Sequence, residues 1–154
     1  MLKKIFLIFV LLNLLNHCDY KPIYSNQNKI NYKIIITSFN GDKDINNSIT
    51  ENLRRNSNGN SDKIININFE TKYTKDILAK NTAGNITDYQ INVGAIFTIQ
   101  KEDDLKTLKL NEKFNFQKMS DKYEEKNYEL NIKRNLANSI SQKLLLRLAM
   151  IKWF

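Results

Sequence analysis

The chain has 154 residues, 24 of them basic and 16 acidic, which gives a formal net charge of +8. This length suits one domain whose core needs no disulfide, and the single cysteine excludes a disulfide-stapled scaffold. The positive charge predicts anionic partners, such as phosphorylated glycolipids, anionic lipids, acidic polysaccharides or acidic proteins.

The first 18 residues resemble an export signal that ends in a lipid-modified cysteine. The chain opens with the basic segment Met1–Lys4, and Ile5–Leu15 is almost wholly apolar. An apolar run this short does not cross a bilayer as a helix, which needs about 20 residues, but it fits the apolar region of a secretory signal. Cys18 is the only cysteine, and Asn16 and His17 precede it where small residues are commoner in bacterial lipoprotein signals.

We therefore predict that residues 1–17 are removed and that Cys18 is lipidated, which anchors the protein to a membrane. Acylation also avoids an unpaired thiol in an oxidising compartment. The alternative is that Cys18 is an ordinary thiol behind a signal anchor. The remaining 137 residues carry 22 basic and 16 acidic side chains, a net charge of +6. Because the protein is exported, nucleic acid is not an expected partner.

The first part of the mature chain is predicted to form a tether, a strand and a short helix. Residues 18–29 contain the only proline, Pro22, and read as a tether that leads away from the membrane. Apolar side chains alternate over residues 30–39, which predicts a strand. After an Asn-Gly-Asp break, isoleucine and leucine recur every four residues, which predicts a helix that begins at Asp42 or Asp44.

After a polar loop, three alternating segments predict a meander of antiparallel strands with one apolar face. Glu112 is the one charged residue that interrupts the apolar face of the last segment. The predicted strands cover residues 65–73, 89–99 and 108–116, joined by turns at 80–85 and 101–104.

A long helix is predicted from about residue 122 to residue 152, with Asp121 at its start. Its apolar stripe can cover the apolar face of the sheet. The predicted fold is α+β, a two-layer sandwich of a four-stranded mixed sheet with two helices on one face, in the order β-α-β-β-β-α. It forms a single domain over residues 30–154, and the sequence leaves the order of strands in the sheet open. The stripe consists of Leu136, Ile140, Leu144, Leu148 and Ile151.

The sequence contains no recognisable catalytic constellation. The only histidine, His17, lies in the segment predicted to be removed, and Cys18 is predicted to be acylated. A chain without a free histidine or cysteine lacks the usual zinc ligands and the residues of nucleophilic triads. We predict that the protein is not an enzyme and uses neither a metal nor a cofactor. An envelope hydrolase is the disfavoured alternative.

Basic side chains are the better candidates for a binding site. We predict that turns and the ends of strands and helices gather cations that bind the phosphates of an anionic glycolipid. The alternative is that these residues only form the solvated surface of the domain. The candidate ligand-binding residues are Arg54, Arg55, Lys72, Lys75 and Lys80, and further lysines near strands are Lys63, Lys106, Lys109 and Lys113.

The start of the mature chain resembles the lipopolysaccharide-assembly lipoprotein LptE family of alphaproteobacterial type. Members commonly open with cysteine, glycine, an aromatic residue, any residue, proline, leucine or isoleucine, and tyrosine. The segment CDYKPIY matches this pattern at Cys18, Tyr20, Pro22, Ile23 and Tyr24. The predicted order of elements also matches the small α+β fold of the family, over essentially the whole chain.

This resemblance implies a non-enzymatic, lipid-anchored protein on the periplasmic face of the outer membrane. Such a protein plugs and supports an LptD-type outer-membrane β-barrel and binds lipopolysaccharide during its transport. Cys18 would then carry the acyl chains. Asp19 stands where the family usually has glycine. Because aspartate at this position retains some lipoproteins in the inner membrane, a periplasmic accessory subunit of an inner-membrane transporter is the alternative.

Overall fold

The computed structural model describes residues 30–151, and it confirms the predicted α+β fold and the order β-α-β-β-β-α. The predicted signal, lipidation site and tether lie outside the described residues, as do the last three residues of the chain. The elements are β1 (Lys33–Asn40), α1 (Lys43–Asn56), β2 (Ile64–Lys80), β3 (Ile86–Lys101), β4 (Asp104–Gln117) and α2 (Lys122–Met150).

The four strands form one mixed sheet in the order β1-β2-β3-β4. β1 and β2 run parallel, and α1 provides the crossover that a parallel pair requires, whereas β2 with β3 and β3 with β4 are antiparallel hairpins. Each strand therefore lies beside its neighbour in sequence. The sequence predicted a mixed sheet, and the structure adds the order of its strands.

Both helices pack on the same face of the sheet, where they bury the apolar side chains of β2 and β3. α1 contributes Ile45, Ile49 and Leu53, all fully buried. In α2, the predicted stripe from Leu136 to Leu148 is buried, and the two helices touch through a hydrogen bond of 2.5 Å from Asn52 Nδ2 to Asn138 Oδ1. The buried sheet residues are Ile65, Ile67, Phe69, Ile91, Val93, Ala95, Phe97 and Ile99.

The interruption of the apolar pattern at Glu112 has a local explanation. Glu112 lies on the helix-covered face of β4, where its side chain is 17% exposed and forms an ion pair with Lys143 of α2. The hydroxyl of Ser139 also donates to Glu112 Oε1 at 3.0 Å. A half-buried carboxylate needs such partners, and α2 supplies both from one face.

Aspartate side chains cap both helices, and of the two predicted starts of α1 the structure selects Asp42 over Asp44. Asp42 Oδ1 accepts the backbone N–H groups of Asp44 at 3.0 Å and Ile45 at 3.1 Å. Asp121 Oδ1 accepts those of Tyr123 at 2.7 Å and Glu124 at 2.9 Å. Each cap satisfies amides that have no partner within the helix.

The strands of the meander are longer than their alternating apolar runs. β2 has 17 residues and β3 has 16, whereas β1 has eight and pairs with β2 only as far as Glu70. The second half of β2 therefore continues beyond β1 as part of a long hairpin. We call residues 71–95, with the part of β4 that faces them, the extended hairpin, and Ile77 and Leu78 near its tip are half exposed.

Candidate ligand-binding face

The sheet face opposite the helices is uncovered in the part of the chain that the structure describes. We call it the open face. It is rich in amide and hydroxyl side chains, because the polar members of each alternating run project there. At its centre lies a shallow groove of about 820 Å³ that spans β2, β3 and β4. This groove is the candidate site for a ligand on the open face.

Gly94 shapes the floor of the groove. It pairs with Lys72 on β2 and with Asn111 on β4, so these three residues form one row across the sheet. A Cβ atom at position 94 would lie 2.8 Å from Asn111 Oδ1, because the asparagine side chain leans over the glycine. Glycine therefore leaves a hollow that any larger residue would fill.

Three exposed lysines border this hollow. Lys72 lies on the β2 side, and Lys109 and Lys113 lie on the β4 side, about two strand spacings or 10 Å away. Within residues 30–151, none of these three lysines forms an ion pair. Glu70 lies at the same rim, whereas the side chain of Glu112 turns to the helix-covered face, so the groove combines cations and amides with the carboxylate of Glu70. Such a surface can bind the phosphate and hydroxyl groups of a glycolipid.

Lys75 lies on the helix-covered face, opposite to Lys72. Its ammonium group binds Glu125 at 2.9 Å and Glu129 at 3.0 Å, and it lies 4.2 Å from the centroid of the Tyr89 ring. Its side chain is only 23% exposed. Lys75 therefore joins β2 to the first turns of α2 through its two glutamate partners.

The hydroxyl of Tyr73 also donates to Glu129, at 2.5 Å. The contacts in this cluster shift the pKa values of Tyr73, Lys75, Glu125 and Glu129. Burial alone would lower the pKa of Lys75, but its two carboxylate partners outweigh burial and raise it. The hydrogen bond from Lys75 lowers the pKa of Glu125. Burial opposes ionisation of Glu129, yet Tyr73 and Lys75 bring its pKa below the ordinary value. Burial and the hydrogen bond to Glu129 raise the pKa of Tyr73.

The other predicted residues lie apart from the groove. Arg54 and Arg55 are exposed in the last turn of α1, on the helix side of the molecule. Arg55 approaches Glu51 at 3.6 Å and borders a small polar cleft between the two helices. Lys80 ends β2 at the tip of the extended hairpin. The structure thus brings Lys72 into the groove and places the other four predicted residues at three separate sites.

Sequence reasoning did not assign Gly94, Asn111, Lys109 or Lys113 to a common site. The signal was present, because alternation places Lys72 opposite the apolar side of β2, and Gly94 opposite that of β3. The same alternation places Lys109 and Lys113 opposite Leu108 and the other apolar residues of β4. The strand order was missing, and without it these residues could not be placed next to one another.

In the described range, no three His, Cys, Asp or Glu side chains converge as a metal site would require. Over those same residues, no helix combines the length and apolar character needed to cross a bilayer.

Three solved structures share the fold of this chain. Rare lipoprotein B from Shewanella oneidensis superposes with a TM-score of 0.57 at 13% identity, over 75% of this chain and 93% of that one. A minor lipoprotein from Acinetobacter baumannii gives 0.58 at 13% identity, over 79% and 92%. A candidate lipoprotein from Caulobacter crescentus gives 0.50 at 7% identity, over 78% and 89%.

At these low identities the similarity establishes the fold, which is one that bacterial lipoproteins use. No protein-family model matches the chain, and no curated protein matches it by sequence.

Proposed function

We propose that the protein is a non-enzymatic outer-membrane lipoprotein of the lipopolysaccharide transport machinery. In this role it plugs and supports an LptD-type barrel and binds lipopolysaccharide. One observation carries the proposal: a chain with a lipoprotein-like signal ending at Cys18 folds like rare lipoprotein B and a minor lipoprotein. The motif CDYKPIY gives independent support, because it resembles the mature start of LptE proteins.

Lipid anchoring by Cys18 fits both the fold and the polarity of the described chain. Each buried methylene of an acyl chain contributes about 0.8 kcal/mol, so several chains hold a protein at a membrane without a spanning helix. The domain itself then remains on the periplasmic side, where a barrel lumen or a transport intermediate can be reached.

The first test is a gentle detergent purification of the full chain with a C-terminal tag. We expect a large outer-membrane barrel in stoichiometric amounts, together with an intact mass that lacks residues 1–17 and carries added acyl mass at Cys18. An unmodified N-terminus would reject lipidation. Recovery of inner-membrane transporter subunits in place of a barrel would favour the alternative, an accessory subunit of an inner-membrane transporter, for which Asp19 is the supporting residue.

Lipopolysaccharide binding is assigned to the groove of the open face, with Lys72 as the contact on the β2 side. Lys72→Glu reverses the charge beside Glu70 and should weaken lipopolysaccharide binding several-fold, since two carboxylates would then face the phosphates. Arg54→Glu makes the same change of charge on the helix side and should have little effect. A loss with Arg54→Glu alone would move the binding site from the sheet to the helices.

A further inference from the structure

β4 presents a complete row of unpaired backbone groups at one edge of the sheet. It is the last strand in the order β1-β2-β3-β4. The loop between β3 and β4 has only two residues, so the closing pair Lys101–Asp104 exchanges hydrogen bonds, and so does every second pair after it. The N–H and C=O groups of the odd-numbered residues of β4 must therefore point away from β3. Among described residues, nothing pairs with them.

This edge is more regular than the other free edges. β4 pairs with β3 over 14 consecutive residues without a shift of register. β1, at the opposite edge, has eight residues and an irregularity between Ile36 and Ser38. The part of β2 that extends beyond β1 has register shifts after Ile77 and after Ala79. Bulges of this kind hinder strand addition, so β4 is the best template for another strand.

The side chains along β4 indicate which charge a strand bound to this edge would carry. The residues whose amides point outward have their side chains on the open face, and among them Lys109 and Lys113 flank Asn111. On the helix-covered face, Phe114 is 41% exposed, although its partner Ile91 is fully buried. A strand laid against β4 would meet two cations on one face and exposed apolar surface on the other.

A second copy of this chain is a poor occupant of the edge. If two β4 edges paired antiparallel around Asn111, Lys109 of each copy would lie directly opposite Lys113 of the other. Like charges directly opposite one another destabilise a strand pair. The same lysines favour a strand with carboxylates at the facing positions.

We propose that the edge of β4 binds an extended acidic segment of a partner protein as a fifth strand. The segment carries carboxylates four residues apart, opposite Lys109 and Lys113, and apolar residues at alternate positions that cover Phe114. Backbone hydrogen bonds to β4 supply affinity, and the two lysines supply selectivity. This inference goes beyond the proposed function, because it requires neither lipopolysaccharide nor a barrel.

The test uses a short synthetic peptide that alternates valine and threonine, with glutamates at two open-face positions four residues apart. A second peptide has lysines in place of the glutamates. Binding to the full chain is measured by titration, and amide hydrogen exchange is followed with and without peptide. We expect the glutamate peptide to bind at least tenfold more tightly, and to slow exchange at Thr107, Lys109, Asn111 and Lys113 but not at Leu108 or Leu110.

Two variants at Asn111 separate backbone pairing from side-chain contacts. Asn111→Pro removes one outward-pointing amide, which an edge strand tolerates, and should reduce peptide binding at least tenfold. Asn111→Ala keeps that amide and should bind within about twofold of the wild type. The double variant Lys109→Glu with Lys113→Glu should prefer the lysine peptide, and it gives an answer even if Asn111→Pro fails to fold.

Several outcomes would overturn the proposal. These are no binding of the glutamate peptide, equal binding of both peptides, equal effects of Asn111→Pro and Asn111→Ala, and a double variant that keeps the preference for glutamate. Slow exchange at the outward amides in the protein alone would show that a second copy or residues 18–29 already occupy the edge. Recovery of a barrel in the purification described above is independent of all these results, so the two proposals can fail separately.

Discussion

Gly41 shows how a single residue sets the junction between β1 and α1. Its φ is +108°, and a Cβ atom there would lie 2.0 Å from the carbonyl oxygen of Thr71 and 2.6 Å from the Thr71 hydroxyl. Thr71 is itself buried and bonds Asn46 at 2.6 Å. We expect Gly41→Ala to lower the free energy of unfolding by about 2–4 kcal/mol, measured by urea denaturation, because it combines a strained backbone with a clash.

Two other glycines are matched controls for this substitution. Gly84 has a φ of +81° with nothing within 4 Å of an added Cβ, so Gly84→Ala should cost only about 1 kcal/mol for the backbone conformation. Gly59 has open space and no such φ, and Gly59→Ala should change stability by at most about 0.5 kcal/mol. Equal costs at positions 41 and 84 would show that the contact with Thr71 is unimportant.

Lys75 and Lys72 allow the stability contribution of a partly buried, paired lysine to be compared with that of an exposed one. Lys75→Met leaves Glu125 and Glu129 side by side without their shared cation, and should lower the free energy of unfolding by about 1–2 kcal/mol at neutral pH. Lys72→Met makes the same change on the open face and should have an effect below about 0.5 kcal/mol. Urea denaturation of both variants separates the two environments.

The ion pairs of Lys75 also predict a pH dependence. Because the pKa values of Glu125 and Glu129 lie below the ordinary 4.5 in the folded state, the unfolded state takes up protons first as the pH falls. Their contribution is therefore present above about pH 4.5 and is lost on further acidification. Lys75→Met removes part of this depression, so its stability should fall less steeply below pH 4.5. If the free energy of unfolding fell equally steeply below pH 4.5 in the wild type and in Lys75→Met, this account would be contradicted.

At the scale of elements, the two capping aspartates differ in whether they also form an ion pair with another element. Asp42 caps α1 and also binds Lys133 of α2 at 2.8 Å, whereas Asp121 caps α2 and is exposed. Burial opposes ionisation of Asp42, yet Lys133 and the capped amides keep its pKa below 3.8. Asp42→Ala should therefore cost about 2–3 kcal/mol, against about 1 kcal/mol for Asp121→Ala.

Asp42→Asn is the control for this comparison, since it keeps an oxygen for the cap and loses the charge. Its stability, measured by urea denaturation, should lie between those of the wild type and Asp42→Ala. If Asp42→Ala lowered the free energy of unfolding no more than Asp121→Ala does, the bond from Lys133 to Asp42 would contribute nothing to stability.

Element types were predictable because each signal is local. Alternation identified β2, β3 and β4, and apolar spacings of three and four residues identified the helices. Asp121 marked the start of α2, whereas the start of α1 was open between Asp42 and Asp44. The full lengths of β2 and β3 were not predictable from alternation, because their distal halves pair through backbone groups while carrying mixed side chains. Alternation places Lys75 on the same face of β2 as Tyr73, so its face was predictable. Its two glutamate partners were not, because they lie on a helix about 50 residues farther along the chain.

At the scale of the whole molecule, the contacts between α2 and the rest of the domain change in character along the helix. α2 has 29 residues and runs about 43 Å, which lets it follow the sheet from the extended hairpin to α1. Its first ten residues contain no buried side chain, and they contact the hairpin through Lys75, Tyr73 and Phe116. All its buried residues, from Ile132 to Leu148, lie farther along, in the part where Lys133 and Asn138 contact Asp42 and Asn52 at α1.

Because of this difference along α2, we expect one end of the domain to unfold locally before the other. Polar bridges and ring contacts separate at a lower free energy than a packed apolar layer, so the hairpin end should unfold locally while the end near α1 stays closed. Native-state hydrogen exchange should show faster exchange for the amides of residues 126–131 than for those of 136–144. Uniform exchange along α2 would mean that the domain opens as one unit. Local opening at this end would let the hairpin change shape around a partner without releasing the apolar core.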